Sequence, residues 1–295
     1  MKFKQPVHLN ILSRRSMKKP EDFFHRLQLH VDILQDYKIE KWGWWEPFRR
    51  DFINTTKEEF IPDDRYGAAD SVHWKRSSKP RAFGSFYVAR KSGADYLLDT
   101  HSSETFECEL KDVNQEQLVQ YMCRSMLETD GDIAILDTVS AQYKEAKRAH
   151  DLLEGAFIEL ERKSLNTHTL RHWLPDIYWG TAFGPAYIEL FGMENLLSCP
   201  AFRVEKLSES AVYIQLTSDI NDVVVNPEKV INLTSIVKNH LGTDAFFDPE
   251  KAYKLRVGIH EEKDYQRPPP IGTVFKVPEF ELIDDEHMND SHIWK

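Results

Sequence analysis

The chain has 295 residues, a formal net charge of -10 at pH 7, and 41% aliphatic and aromatic residues. This length allows a substantial buried core, and the composition excludes a wholly disordered chain. The negative charge disfavours non-specific binding of nucleic acid, because phosphates repel it. The sequence has no signal-peptide pattern and no apolar run long enough to cross a bilayer, so it predicts a cytoplasmic protein without membrane contact.

The three cysteines are Cys108, Cys123 and Cys199. Their number is odd and none forms a CxxC pair, which argues against a disulfide framework and against a zinc ribbon. We therefore expect three reduced thiols.

The first half of the chain indicates a strand, a helix and an antiparallel meander. Residues 7–12 alternate between apolar and polar side chains, which predicts a strand. Pro20 begins a helix with an apolar face at helical spacing. Strands are then predicted at residues 82–90, 96–99 and 105–110.

After residue 110, the sequence predicts further helices, a short strand and a hairpin. Asn114 with Gln117 predicts a capped helix, and residues 133–136 read as a short buried strand. A hairpin at residues 202–217 precedes a helix that begins after Asn226. The predicted fold class is α+β, with antiparallel sheets and flanking helices.

Two domain organisations stay open at this stage. The chain is one α+β unit over residues 1–295, or it holds two related α+β halves at about residues 1–160 and 161–278. In both, residues 279–295 form an acidic tail.

The usual catalytic signatures are absent. The sequence contains no GxSxG, GxGxxG, GxxxxGK[ST] or HExxH motif. We therefore predict no catalytic residues, no cofactor and no metal. The alternative is a metal-dependent hydrolase, because His168 and His172 are spaced i, i+4 and would share one helix face. Zinc would still need a third ligand, and a local glutamate base is lacking.

A tryptophan cluster is the first candidate for a partner-binding site. Trp42, Trp44 and Trp45 precede Arg49 and Arg50, and tryptophan and arginine dominate interface hot spots. The competing interpretation, which we favour for two of the three rings, is core packing beneath the first helix. The second candidate is a set of acidic residues in the following loop: Asp63, Asp64 and Asp70.

The stretch D-I-Y-W-G-T-A-F-G-P-A-Y-I-E-L-F-G, residues 176–192, is rich in aromatic residues and glycine. Pro185 is suited to begin a short helix that Gly192 ends. Its composition therefore indicates a packed turn and not a catalytic loop.

From Tyr178, the sequence Y-W-G-T-A-F-G-P-A-Y-I-E-L-F-G-M-E-N-L-L-S-C-P-A resembles a segment of the immunity protein 52 family of bacterial polymorphic toxin systems. The same pattern fits two later segments, V-Y-I-Q-L-T and N-H-L-G-T-D-A-F-F-D. The clearer resemblance therefore covers residues 173–248. W-G-W-W-E-P fits it loosely in the first half. Immunity families of type VI secretion systems look similar.

The resemblance implies a non-enzymatic α+β inhibitor, encoded beside its toxin, that binds and neutralises that toxin. Such toxins often have a restriction-endonuclease-like fold, and an acidic inhibitor would complement the basic groove of a nuclease. The implied partner is the cognate toxin, with no nucleic acid. The alternatives are the hydrolase and a homo-oligomeric adaptor, and a homodimer is compatible with each.

Overall fold

The described residues form one antiparallel sheet with helices packed against it. The structure is a computed structural model, and it describes residues 3–17, 20–44, 47–54, 71–88, 100–138, 165–171, 173–248, 251 and 275–283. The strands are β1 (Pro6–Ser13), β2 (Lys41–Gly43), β3 (Arg50–Asp51), β4 (Ser71–Arg76), β5 (Ala82–Tyr87), β6 (Ser102–Glu109), β7 (Gly131–Thr138), β8 (Gly180–Phe183), β9 (Arg203–Ser208) and β10 (Ala211–Gln215). Across the described residues their order is β3-β2-β4-β5-β6-β1-β7-β8-β10-β9. The predicted α+β class is confirmed.

The helices follow the capping and proline signals of the sequence. They are α1 (Pro20–Ile33), α2 (Gln115–Glu128), α3 (Thr167–Leu170), α4 (Pro185–Phe191), α5 (Met193–Leu197), α6 (Asp222–Val225) and α7 (Pro227–Leu241). None of these described helices is long and apolar enough to cross a membrane.

Strand β1 lies at the centre of the sheet although it comes first in the chain. It pairs antiparallel with β6 on one side and with β7 on the other. Leu9 lies between Phe106 and Leu136, and all three side chains are buried. The alternation therefore places one row of apolar side chains on the face that the first two helices cover.

Helix α2 covers that face. The Asn114 side chain accepts a hydrogen bond from the Gln117 backbone N–H at 3.2 Å, which is the predicted cap. Leu118 and Met122 are fully buried one turn apart, and the helix packs on β7 and β1. Helix α1 packs beside α2 on the same face.

Helix α4 covers the opposite face of the sheet. Phe183 pairs with Ile133 on β7 and points away from α2, because its neighbour Ala182 lies on the α2 side. The rings of Tyr187 and Phe191 lie 5.2 Å and 5.7 Å from the Phe183 ring. Residues 176–192 are thus a packed strand, turn and helix, as the composition indicates.

The segment at residues 275–283 packs against residues from both halves of the chain. Phe275 packs on Trp173, and the Phe280 ring lies 4.7 Å from the His101 ring. The Ile283 N–H donates to the Arg14 carbonyl oxygen at 3.0 Å. Phe280 and Ile283 of the predicted tail therefore contact the body of the protein, and residues 284–295 lie outside the described part. Whether the two halves are related stays a prediction.

The observed strand bounds differ from the predicted ones in places, and the short strand predicted at residues 133–136 extends over Gly131–Thr138. The strand predicted at residues 82–90 ends at Tyr87, and the one predicted at 105–110 begins three residues earlier, at Ser102. The strand predicted at 96–99 lies outside the described residues.

The cysteines are free, as the sequence predicts. Burial raises the pKa of each thiol to about 12. All three are therefore thiols at neutral pH and poor nucleophiles.

Candidate partner-binding surface

The predicted tryptophan cluster lies at one end of the sheet. Trp42 on β2 pairs with Trp74 on β4 and with Arg50 on β3. Its ring is fully buried, while the Arg50 guanidinium is exposed and lies 4.8 Å from the ring centre. This cation–π contact holds the exposed Arg50 guanidinium against the buried Trp42 ring. Trp42 itself is therefore a support for the surface and not a contact residue.

Two further predicted residues flank that pair. Trp44 is half-buried, packs against the core, and lies edge-on to Trp42 at 5.8 Å. Arg49 is exposed. The structure thus brings Trp42, Trp44 and Arg50 together. The other predicted residues lie outside the described part of the chain: Trp45, Asp63, Asp64 and Asp70.

Residues that sequence reasoning missed extend this region across the sheet. The Phe48 ring lies parallel to the His73 ring at 6.0 Å, and Tyr87 lies edge-on to His73 at 5.8 Å. The Lys75 ammonium lies 5.5 Å from the centre of the Phe48 ring. The alternation in S-V-H-W-K-R was the available signal, because it places His73 and Lys75 opposite the buried Val72 and Trp74.

An apolar side chain projects beside these rings. Ile53 belongs to the 3-10 turn Phe52–Asn54 that follows β3, and 89% of its surface is exposed. Phe52 packs against the core and holds the turn in place. We call the described residues 38–44, 47–54 and 71–81, together with Tyr87, the edge surface.

A second surface lies where the N-terminus of α2 meets the loop before α6. The Gln115 side chain donates to the Ser218 carbonyl at 2.9 Å and accepts from the Ile220 N–H at 3.1 Å. These two bonds join segments that lie about a hundred residues apart, so no local pattern indicated them. We call it the acidic surface; it comprises Asp36, Asp112, Glu116, Asp219, Asp222, Val224 and Val225.

Local contacts hold the charged groups of the acidic surface. A hydrogen bond of 2.7 Å from the Asn226 side chain lowers the pKa of Asp222, and Lys229 lies 3.3 Å from the same carboxylate. Val225 is 66% exposed beside it. This surface combines negative charge with apolar side chains.

Two buried histidines lie beside carboxylates, and such pairs can perform acid–base chemistry. His101 lies 2.9 Å from both Asp132 Oδ2 and Thr167 Oγ1. The side chains of His101 and Asp132 are fully buried, and Phe280 packs on the His101 ring. A substrate therefore has no direct access to this pair.

His8 forms the second arrangement, at the middle of the sheet. On its strand it lies directly between Glu107 and Asp137, and its Nδ1 is 3.5 Å from Glu107 Oε1. All three residues are buried. Within the described residues, no group of three or more His, Cys, Asp or Glu side chains is arranged to hold a metal ion.

The structure does not describe the histidine pair on which the hydrolase alternative depends. His172 lies outside the described residues, as does the side chain of His168. That alternative therefore stays a hypothesis.

Comparisons with known protein families and curated proteins do not assign the chain to a family. No family model matches the chain, and no curated protein matches it. A solved structure, the Pseudomonas aeruginosa T6SS protein PA0821, aligns over 96% of this chain and 83% of its own with a TM-score of 0.46 and 11% identity. A similarity of this size assigns neither a family nor a role.

Proposed function

We propose that this protein is a non-enzymatic immunity protein that binds and neutralises a cognate bacterial toxin by occlusion. The observation that carries the proposal is the edge surface. Exposed Arg49, Arg50 and Ile53 lie there on a rigid base of buried and half-buried tryptophans. Arginine and aromatic residues are enriched at protein interfaces, and a preorganised surface loses less entropy on binding.

The resemblance to the immunity protein 52 family supports this proposal. The resembling residues 173–248 fold into β8 to β10 with α4 to α7, which is the scaffold at the other end of the sheet. By analogy, the toxin is an effector of a bacterial secretion system, such as type VI, with a restriction-endonuclease-like nuclease domain. We place the protein in the cytoplasm and expect no cofactor and no contact with nucleic acid or membrane.

Burial of the histidine–carboxylate arrangements at His101 and His8 supports a non-enzymatic role. His101 and His8 both lie in the packed interior and not in an open cleft. The hydrogen bonds of His101 to Asp132 and Thr167 fit a structural role, because buried polar groups need such partners.

Purification and growth experiments test the proposal together. The full chain is purified from its producing cells, and the protein that copurifies in stoichiometric amount is identified by mass spectrometry. That protein is then expressed alone and with this chain in a heterologous host. We expect growth arrest alone and normal growth with the chain. Growth arrest in both cases would contradict the proposed function.

Ile53→Asp is predicted to weaken toxin binding by at least about tenfold, because it places a charge at the apolar centre of the proposed interface. Calorimetric titration of the purified proteins measures the effect. Val225→Asp on the acidic surface is the matched control, since Val225 is also largely exposed. We expect both variants to unfold at the same urea concentration as the unchanged chain. Weaker binding by the control alone would place the interface on the acidic surface.

A further inference from the structure

Strand β9 is last in the spatial order of the sheet, and its outer edge, here called the β9 edge, pairs with no other described strand. The strand spans Arg203–Ser208 and pairs on its inner side with β10. An open strand edge presents backbone N–H and C=O groups that can pair with another strand. The sheet also ends at β3, but that strand has two residues. Of these two ends, the β9 edge therefore offers the longer site for strand addition.

The first part of β9 is regular and its end is not. Residues 203–206 each oppose one residue of β10, whereas Leu207 has no counterpart there. This extra residue is a β-bulge, which bends a strand and interrupts regular pairing. A strand added at the β9 edge would therefore make its regular contacts at residues 203–206.

Two oppositely charged side chains lie along this regular part. Glu205 opposes Tyr213, which in turn opposes Ala182 on the α2 side of the sheet. Glu205 and Arg203 are two residues apart on the strand, so both project on that side. Arg203 Nη2 lies 2.5 Å from Glu205 Oε2, and both side chains remain partly exposed. Lys206 is exposed and projects on the other side.

We propose that the β9 edge pairs antiparallel with the β9 edge of a second copy of this chain, about a two-fold axis beside Val204. Directly opposed residues of an antiparallel pair share one face of the sheet. A symmetric pair therefore has one residue opposite its own copy, and the neighbours of that residue pair across the axis. With Val204 at the axis, Arg203 of each copy lies opposite Glu205 of the other. The register thus forms two cross-strand ion pairs.

The charges of β9 disfavour the other symmetric registers. An axis beside Arg203, Glu205 or Lys206 would place that charged residue opposite its own copy, and like charges directly opposite each other are destabilising. An axis beside Leu207 would fall on the bulge, where pairing is irregular. Charged residues commonly protect strand edges against unwanted pairing. Within residues 203–206, they leave one symmetric register in which the charges attract.

Exposed apolar side chains lie on the elements next to the β9 edge. Phe202, directly before the strand, is 62% exposed, and in the proposed register it lies opposite Lys206 of the other copy. Leu127 on α2 and Leu197 on α5 are also exposed, and both helices pack on β9. Backbone pairing over a few residues is only marginally stable by itself. These apolar side chains would add to the buried area that a stable interface needs.

The cognate toxin is the other occupant that could add a strand at the β9 edge. A second copy is favoured because the match between Arg203 and Glu205 lies within β9 itself and requires no other sequence. The edge surface lies around strands β2 to β4, at the opposite end of the strand order. Pairing at β9 would leave the edge surface of each copy at the outer end of its sheet. The proposed pairing therefore does not depend on the proposed function.

Two opposite charge reversals, studied alone and mixed, test the proposal. Arg203→Glu leaves two acidic residues at the paired positions, and Glu205→Arg leaves two arginines there. Self-association of the purified full-length chains is measured by sedimentation velocity over a series of concentrations. The control is Lys229→Glu, which reverses an exposed charge on α7 and not on β9.

The unchanged chain is expected to form dimers as its concentration rises. Each single variant should self-associate at least about tenfold more weakly, because attraction becomes repulsion at both ion pairs. An equimolar mixture of the two variants should regain the association, since each acidic residue again opposes an arginine. The control should associate like the unchanged chain. Recovery on mixing would separate pairing at β9 from misfolding, because two misfolded chains would not restore a specific dimer.

Three results would overturn the proposal. The first is an unchanged chain that stays monomeric up to its highest soluble concentration. The second is association that both single variants retain, and the third is a mixture of the variants that stays monomeric. If the unchanged chain were monomeric and both variants lost toxin binding, β9 would be assigned to the toxin instead. The growth experiment with the unchanged chain decides the proposed function separately from each of these results.

Discussion

Arg26→Ala is expected to lower the free energy of unfolding by about 3–5 kcal/mol, because it removes one partner of a buried ion pair and leaves the other charge uncompensated. Arg26 lies on α1 and is 1% exposed. Its Nη1 lies 3.4 Å from Glu104 Oε1 and donates to Ser13 Oγ at 3.0 Å. Tyr121 donates a hydrogen bond to the second oxygen of Glu104.

The second guanidinium nitrogen adds to this penalty. Arg26 Nη2 donates to the Arg15 carbonyl at 3.1 Å and to Ser102 Oγ at 3.0 Å. Burial lowers the pKa of Arg26 and raises that of Glu104, and each charge opposes the shift of the other. Without the guanidinium, Glu104 would have to remain charged in the core or bind a proton.

Urea unfolding of the full chain measures this effect. Arg124→Ala is the matched control, because Arg124 forms an exposed i, i+4 ion pair with Glu128 on α2. The control should cost less than about 1 kcal/mol. If Arg26→Ala cost no more than the control, the buried pair would not have the structural role assigned to it.

Gly184→Ala is expected to cost about 3 kcal/mol, at the upper end of the usual range for overpacking. A Cβ atom at Gly184 would lie 2.0 Å from the Gly131 carbonyl oxygen and 2.9 Å from the Asp132 Cα. Both are backbone atoms of β7, which pairs on both sides, so they cannot move aside without shifting the sheet. The Gly184 N–H also donates to the Asp132 carbonyl at 2.7 Å, which the clash would disturb.

Gly180→Ala, at the other end of β8, is the control for this prediction. A Cβ at Gly180 would meet the Tyr213 hydroxyl at 3.2 Å and Leu136 Cβ at 3.5 Å, both side-chain atoms. Its cost should stay below about 1 kcal/mol in thermal or urea unfolding. Equal losses for the two variants would contradict the close approach of β7 and the turn at Gly184.

Local signals predicted individual elements well, because their causes lie within a few residues. The Asn114 cap fixed the start of α2, and Gly242, with φ of +101°, ends α7 where the sequence predicts it. The central position of β1 was not predictable in this way. It depends on pairing with β6 and β7 about a hundred residues away, which periodicity does not encode.

The candidate site was predictable only in part, because its residues come from several separate segments of the chain. Residue type indicated a tryptophan–arginine cluster, but composition could not tell which ring is buried; Trp42 is, and Trp44 is half-buried. Phe48, His73 and Tyr87 come from three separate segments. The β4–β5 pairing brings His73 and Tyr87 near each other, and the Phe48 ring stacks on His73 from the segment before β3. Net charge was also insufficient, since it indicated an acidic protein without showing how the charged residues are distributed over its surface.

A stoichiometric titration tests the central claim most directly. The purified toxin is mixed with increasing amounts of this chain, and its activity on its own substrate is measured. Occlusion predicts that inhibition is complete at about one equivalent, that the toxin is recovered with unchanged mass, and that activity returns when the complex is dissociated. Inactivation by far less than one equivalent with a changed toxin mass would make the chain an enzyme, and an uninhibited toxin would contradict the immunity role.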